Sequence, residues 1–201
     1  MTRLAAPRSC PHLRPLSRRT VLAAALGSGL AAVFTAAQAQ PAPPSEVAAG
    51  LAGARLLGNG RLTYFGLHVY DARLWVGDGF AADNYAKLPL ALELEYARAL
   101  VGKLIAERSL DEMKRAGGFS DEQGQRWLAA MTQMFPDVVK GDRLTGLHRP
   151  GEAANFYLNG KVRGEVRDAE FAKAFFGIWL SPKTSEPKLR AALLGSNRAG
   201  S

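Results

Sequence analysis

The residues best suited to chemistry lie close together in one aromatic-rich stretch, LGNGRLTYFGLHVYDARLWV, which runs from Leu57 to Val76. Counted by alternate positions, one face carries Leu62, Tyr64, His68, Tyr70, Leu74 and Val76, and the other Thr63, Phe65, Leu67, Val69 and Trp75. Tyr64, His68 and Tyr70 combine apolar bodies with polar tips, which suits a ligand cleft. A core strand whose tyrosines reach the rim fits the same residues. Other chemistry finds little support. There is no Gly-x-Ser-x-Gly, and His68 and His148, the two histidines beyond the leader, stand eighty residues apart. No His pair, Cys pair or acidic loop has metal-ligand spacing. Gly58-Asn59-Gly60 is too short for a dinucleotide loop and leads into a strand, not a helix. No cofactor is expected.

The first 39 residues read as an address. Met1 to Arg19 holds five arginines and no acid, and Ser17-Arg18-Arg19-Thr20-Val21-Leu22 resembles a twin-arginine export signal. An Ala/Gly-rich apolar run from Val21 to Thr35 follows, and then Ala37-Gln38-Ala39, an A-x-A cleavage site before Gln40. The alternative is a membrane anchor, but the run is only weakly apolar and the cleavage motif sits where processing needs it. The expectation is a periplasmic protein delivered by the twin-arginine machinery, with no stable membrane span after cleavage.

Loss of the leader changes the charge argument. The whole chain has 26 basic and 18 acidic residues, net +8; without the leader's five arginines the balance is 21 to 18, net +3. Most of the basicity therefore belongs to export, and a nucleic-acid partner is not supported. Cys10, the single cysteine, lies in the leader, so the exported part must be held by its core without disulfides. Its length of about 160 residues suits one domain that buries roughly two-thirds of its unfolded surface.

The elements that must position the aromatic stretch follow from periodicity. Residues 40–53 are Pro/Ala-rich and read as a linker. A short strand at 54–57 is expected to turn through Gly58-Asn59-Gly60 into the long strand, which Gly77-Asp78-Gly79 closes, and 83–88 reads as a loop. Leu90 to Arg98 alternates cleanly, with Leu90, Leu92, Leu94 and Tyr96 inward and Glu93 and Glu95 on a wet face. A helical period starts at Ala99, and Ser109 with Glu112 reads as a capping box that breaks it or starts a fresh helix to Gly117. Ser120 with Gln123 caps the next helix, whose core face holds Trp127, Leu128, Met131, Met134 and Phe135 and which Pro136 stops. A strand at 142–148, a hairpin about Asn159-Gly160, a helix capped by Asp168 and a short helix from Ser185 to Gly195 complete the order. Segregated strands and helices predict an α+β fold with helices layered on an antiparallel sheet.

This pattern resembles the chalcone isomerase-like family. The Gly-x-Gly-Arg turn and Val69-Tyr70, the Tyr96-Ala-Arg98-Ala-Leu-Val101 junction, Phe119 to Gln123, the Asn159-Gly160 hairpin, Phe176 to Leu180 and Leu189 to Gly195 follow its order. The match covers nearly all of 54–196, leaves 197–201 as a tail, and looks most like a bacterial exported branch. The resemblance implies an open-faced sandwich. It also implies one of three activities: closure of chalcones to flavanones, fatty-acid binding, or a non-catalytic helper role. In the enzymes of the family an arginine polarises the substrate, helped by a threonine and a tyrosine hydroxyl. Arg61 falls at the arginine's place, Phe65 at the threonine's, and Ala99 to Gly117 offers no tyrosine. Two of three polar groups are absent, and an active site built on preorganised donors would lose orders of magnitude in rate. The function expected is therefore binding of a small apolar carboxylate or phenolic ligand, with Arg61, Tyr64, Phe65, His68 and Arg98 as the candidate site. An arginine fork suits such planar anions. An isomerase using Arg61 as electrophile, and a scaffold protein without a ligand, are the alternatives.

Overall fold

The computed structural model describes residues 41–195, so Arg18, Arg19, Ala37, Ala39 and the cleavage site before Gln40 lie outside the described residues. Six strands form one antiparallel sheet in sequence order: β1 (Arg55–Tyr64), β2 (Leu67–Val76), β3 (Leu90–Tyr96), β4 (Arg143–Arg149), β5 (Ala153–Leu158) and β6 (Lys161–Val166). Two long helices, α2 (Gly102–Ala116) and α3 (Asp121–Met134), separate β3 from β4, and α4 (Ala169–Leu180) and α5 (Pro187–Leu193) follow β6. This is the α+β arrangement expected. A short helix, α1 (Ser45–Gly50), precedes the sheet.

The main core lies between the sheet and α3 and α4, with α2 packed on those two helices. Phe156 of β5 meets Phe171 and Phe175 of α4, and Trp127 of α3 closes on Phe171. Asp168 accepts hydrogen bonds from the Glu170 and Phe171 amides and from the Trp127 indole (2.8 Å), so one carboxylate caps α4 and ties α3 to it. Ser120 and Gln123 form the expected capping box at α3.

Several expectations change. The glycines of Gly58-Asn59-Gly60 do not turn; they lie inside β1, and the hairpin turns at Phe65-Gly66 instead. The reason is close approach: a Cβ on Gly58 would strike the Ala192 and Leu193 carbonyls of α5, and one on Gly60 would reach Leu189. Glycine serves here to seat a helix on a strand. Ser109 is no cap either, because α2 runs through it and its hydroxyl donates to the Ile105 carbonyl (2.8 Å).

The outer face of the sheet is not simply wet, and 40–53 is not all linker. Val47 and Leu51, in and just after α1, pack on Leu56, Trp75, Ala91 and Leu147 as a second small core. Glu93, expected in solvent, is 3% exposed; it accepts from the Trp75 indole (2.8 Å) and from Arg73 (2.9 Å). Glu46 accepts from Thr145 (2.9 Å) and Arg143 (3.0 Å). Burial alone would raise the Glu46 carboxyl, but its backbone hydrogen bond and those from Thr145 and Arg143 outweigh that and hold it below the usual range. A single period-2 count could not show this cover, because α1 comes from a Pro/Ala-rich segment with too few apolar residues to display a period.

Two stability predictions follow from this packing. Phe171→Ala removes a fully buried ring, and denaturant melts should show a loss of roughly 3–5 kcal/mol. Glu46→Ala removes the acceptor of the Arg143 and Thr145 hydrogen bonds, with Arg143 keeping Glu93 at 3.7 Å, and should cost less, about 1–3 kcal/mol. Because Glu46 titrates lower when folded, its contribution is complete above the unfolded carboxylate pKa and fades as pH falls through the folded value. The Glu46→Gln protein should therefore show a shallower loss of stability on acidification than wild type. Equal slopes would place Glu46 outside the network.

Candidate functional site

α2 packs on α3 and α4 rather than on the sheet beneath it, and the gap is a cavity of about 550 Å³. Leu62, Tyr70, Leu94, Tyr96 and Leu144 form its floor on β1 to β4. Leu104, Ile105, Arg108 and Glu112 project from α2, and Phe175, Ile178 and Trp179 close the side from α4. The height of α2 is set at its first turn. The Gly102 amide donates to the Asp137 carboxylate (2.8 Å), and Leu100 and Val138 exchange backbone hydrogen bonds (3.0 Å each). No cap inside the helix does this; the α3–β4 connection does.

The wall is apolar with a few placed polar groups. The Trp179 indole donates to the Tyr70 hydroxyl (2.9 Å), which leaves that hydroxyl's own proton for another acceptor. Tyr96 stands edge-on to Tyr70, with centroids 6.0 Å apart, and its hydroxyl makes no hydrogen bond among the described residues. Burial pushes both phenols well above their ordinary range, so both stay protonated donors. Glu112 is buried with Arg108 at 2.6 Å and Arg115 at 3.5 Å, and the Arg108 guanidinium lies 5.9 Å over the Tyr64 ring. Arg98 borders the opening, exposed and without an ion pair among the described residues. No group of three or more His, Asp or Glu side chains among the described residues is placed to hold a metal ion.

Of the five candidate site residues, Tyr64, Phe65 and Arg98 line this cavity, as does Tyr70 from the same aromatic stretch. Arg61 and His68 do not. Both lie on the opposite face of the sheet, where Asp71 holds Arg61 at 2.9 Å and His68 at 3.2 Å. Burial would raise the Asp71 carboxyl, but the Arg61 hydrogen bond and His68 bring it below its usual range. For His68 the reason is parity; Arg61 comes to the candidate site by the family resemblance and not by the count. A strand counted as continuous turns at Phe65-Gly66, and a register shift follows Leu62, so Leu62 pairs with Tyr70 and Tyr64 with Leu67 on the inner face. Thr63 pairs with His68 and Arg61 with Asp71 on the outer face. His148 does not approach His68; it is buried against Phe176, with Nδ1 3.0 Å from the Leu88 carbonyl oxygen. Burial lowers its pKa.

Among the cavity residues that the sequence reading did not assign to a site are Tyr96, Arg108 and Glu112. Tyr96 was visible as an inward position of β3 but looked like core. Leu104, Arg108 and Glu112 share one helical stripe at four-residue spacing, and the break expected at Ser109 hid it.

With this geometry established, comparison with known proteins locates the chain. Residues 43–195 match the chalcone isomerase-like family. An uncharacterized protein of Haemophilus influenzae is 33% identical over 143 residues, which cover 71% of this chain and 69% of that protein. The crystal structure of an Arabidopsis thaliana fatty-acid binding protein superposes with a TM-score of 0.56 at 14% identity, covering 72% of this chain and 88% of that one. The meander sheet with its helices is the fold of that structure, and the chain belongs to the chalcone isomerase-like family.

Proposed function

We propose that this protein binds an elongated apolar molecule with one small acidic or phenolic end and does not transform it. The observation that carries the reading is the cavity: about 550 Å³, within the range of small-molecule sites, and walled by Leu, Ile, Phe and Trp side chains. The likeness in fold to a fatty-acid binding protein supports the same class of ligand. The apolar body would lie against Leu94, Leu144 and Phe175. Arg98, the guanidinium free of an ion pair, would hold the acidic end at the opening. Tyr70 and Tyr96 offer neutral donors deeper in, suited to an ester, a ketone or a phenol.

The isomerase alternative loses its electrophile. Arg61 bonds Asp71 on the other side of the sheet, and Phe65 has no hydroxyl. Arg108, the other cation at the cavity, is already paired with Glu112. Calorimetry with a fatty acid and its matching alcohol tests the reading. Wild type should prefer the acid, and Arg98→Ala should weaken acid binding by roughly 10- to 150-fold, the equivalent of about 1.5–3 kcal/mol, while leaving the alcohol unaffected. Binding of neither compound would favour the scaffold role, and rapid cyclisation of a chalcone would restore the enzyme.

Residues 1–39 are proposed as a cleaved twin-arginine signal that delivers the protein to the periplasm, supported by Arg18-Arg19 and the Ala37-Gln38-Ala39 site. Changing Arg18 and Arg19 together to Lys should leave full-length precursor in the cytoplasm. Mature protein beginning at Gln40 from that variant would rule out the route.

A further inference from the structure

The cavity opens where the surface is most apolar. Among the described residues seven large hydrophobic side chains are exposed, and five of them border the opening: Tyr64, Phe65, Leu67, Val101 and Leu104. Three come from the tip of the β1–β2 hairpin and two from the start of α2, so the rim spans both sides of the mouth. Exposed apolar surface gathered in one place is an interaction site more often than chance.

Phe65 makes the case sharper. Its ring is 88% exposed, and its backbone sits at φ 47°, in the left-handed region that disfavours a bulky side chain. The same chain supplies its own control at the β5–β6 hairpin. There the two turn residues are Asn159 and Gly160, with φ 51° and 81°; at the β1–β2 hairpin they are Phe65 and Gly66, with φ 47° and 76°. The first pair is the usual choice for such a turn. The second puts an aromatic ring where Asn would relieve strain and avoid exposing apolar surface. Phe65 meets one other ring, Tyr64, edge-on at 4.5 Å, and that ring is itself half in solvent. Folding gains nothing evident from this residue, so its use lies outside the fold.

We infer that the hairpin tip and the start of α2 dock the cavity mouth onto a lipid bilayer surface, with Tyr64, Phe65 and Leu67 entering the headgroup region. Charge favours an anionic surface. Arg98 and Arg108 flank the opening, and Lys103 precedes Leu104 on α2. Glu112 is buried and carries both Arg108 and Arg115, so that group keeps a net positive charge; Glu107 is paired with Lys103 at 3.8 Å, and Glu186, half-buried, is the other acid of the lining. Apolar insertion flanked by cations is how peripheral proteins hold a membrane surface. The arrangement would let an apolar ligand pass between bilayer and cavity without crossing water. That purpose rests on the ligand-binding reading above; the docking itself does not.

Sedimentation with vesicles of phosphatidylglycerol and phosphatidylethanolamine, and with neutral phosphatidylcholine vesicles, tests the inference on the mature protein without added ligand. Wild type should bind the anionic vesicles more strongly than the neutral ones. Phe65→Asn should fold, melt a few degrees higher, and bind anionic vesicles about tenfold or more weakly. Leu67→Ser should weaken binding in the same direction, and Lys103→Glu should remove part of the preference for anionic lipid. Three results would overturn the inference: no vesicle binding by wild type, unchanged binding by Phe65→Asn, or a lower melting temperature for Phe65→Asn, which would give the ring a role in the fold. A concentration-dependent dimer that Phe65→Asn dissolves would also overturn it, assigning the rim to a second copy of the chain. Fatty-acid titration without vesicles reads the cavity separately, so loss of one property is distinguishable from loss of the other.

Discussion

The cavity of this molecule depends on the height at which α2 is held above the sheet. Gly102 is pressed against the backbone of Phe135 and Pro136, where no Cβ would fit, and its amide is capped by Asp137. The pairing of Leu100 with Val138 completes the anchor. The helix is therefore fixed from the α3–β4 connection and from its neighbours α3 and α4. Its inner stripe reaches the sheet's aromatics only at a distance, so side chains line a space they do not fill. Close packing is the rule in protein interiors, and a space of this size forfeits many dispersion contacts. The fold makes up for that at the other end, where β5, α3 and α4 close in a dense cluster around Phe156 and Phe171.

The two faces of the sheet divide the work. The inner face puts apolar side chains and neutral phenols against the cavity. The outer face carries most of the charge pairing: Arg61 and His68 with Asp71, Arg73 with Glu93 and Glu95, and Arg143 with Glu46. Along β2 the alternation brings Tyr70 to one side and Asp71 to the other, so neighbours in sequence serve opposite tasks. Glu46 of α1 and Glu93 of β3 are buried on this outer face and would be costly there if any partner were missing. α1, though only six residues long, is for that reason part of the domain's structure and not a tether to it.

The rim of the cavity departs from what stability alone would choose. Where the β5–β6 hairpin uses Asn-Gly, the β1–β2 hairpin uses Phe-Gly in the same backbone conformation. Local rules are broken most often where a protein meets something else. The exposed ring, the apolar opening and the flanking arginines occupy one end of the molecule, opposite in character to the polar outer face of the sheet.

The sequence by itself determined the class of fold and most of its elements. The strand at Leu90 to Tyr96, the Ser120–Gln123 box, the Asn159-Gly160 turn and the Asp168 cap are read from local signals, and the structure contains all four elements, though not the wet face the alternation implied at Glu93. It also carried Tyr64, Phe65 and Arg98 near the opening. Tertiary structure decided the rest. Glycines at 58 and 60 look like a turn until α5 is laid on them. His68 looks inward, beside Tyr64 and Tyr70, until the turn at Phe65-Gly66 and the register shift beside it change the parity of the strand, and Arg61, placed at the site by resemblance alone, pairs with Asp71 on the outer face. Tyr96, Arg108 and Glu112 become a lining only when α2 stands off the sheet, and that distance is set by Asp137, thirty-five residues along the chain. Periodicity reports which side of an element a residue takes; it holds no record of where an element begins its count or what lies across from it, and both are fixed by contacts distant in sequence.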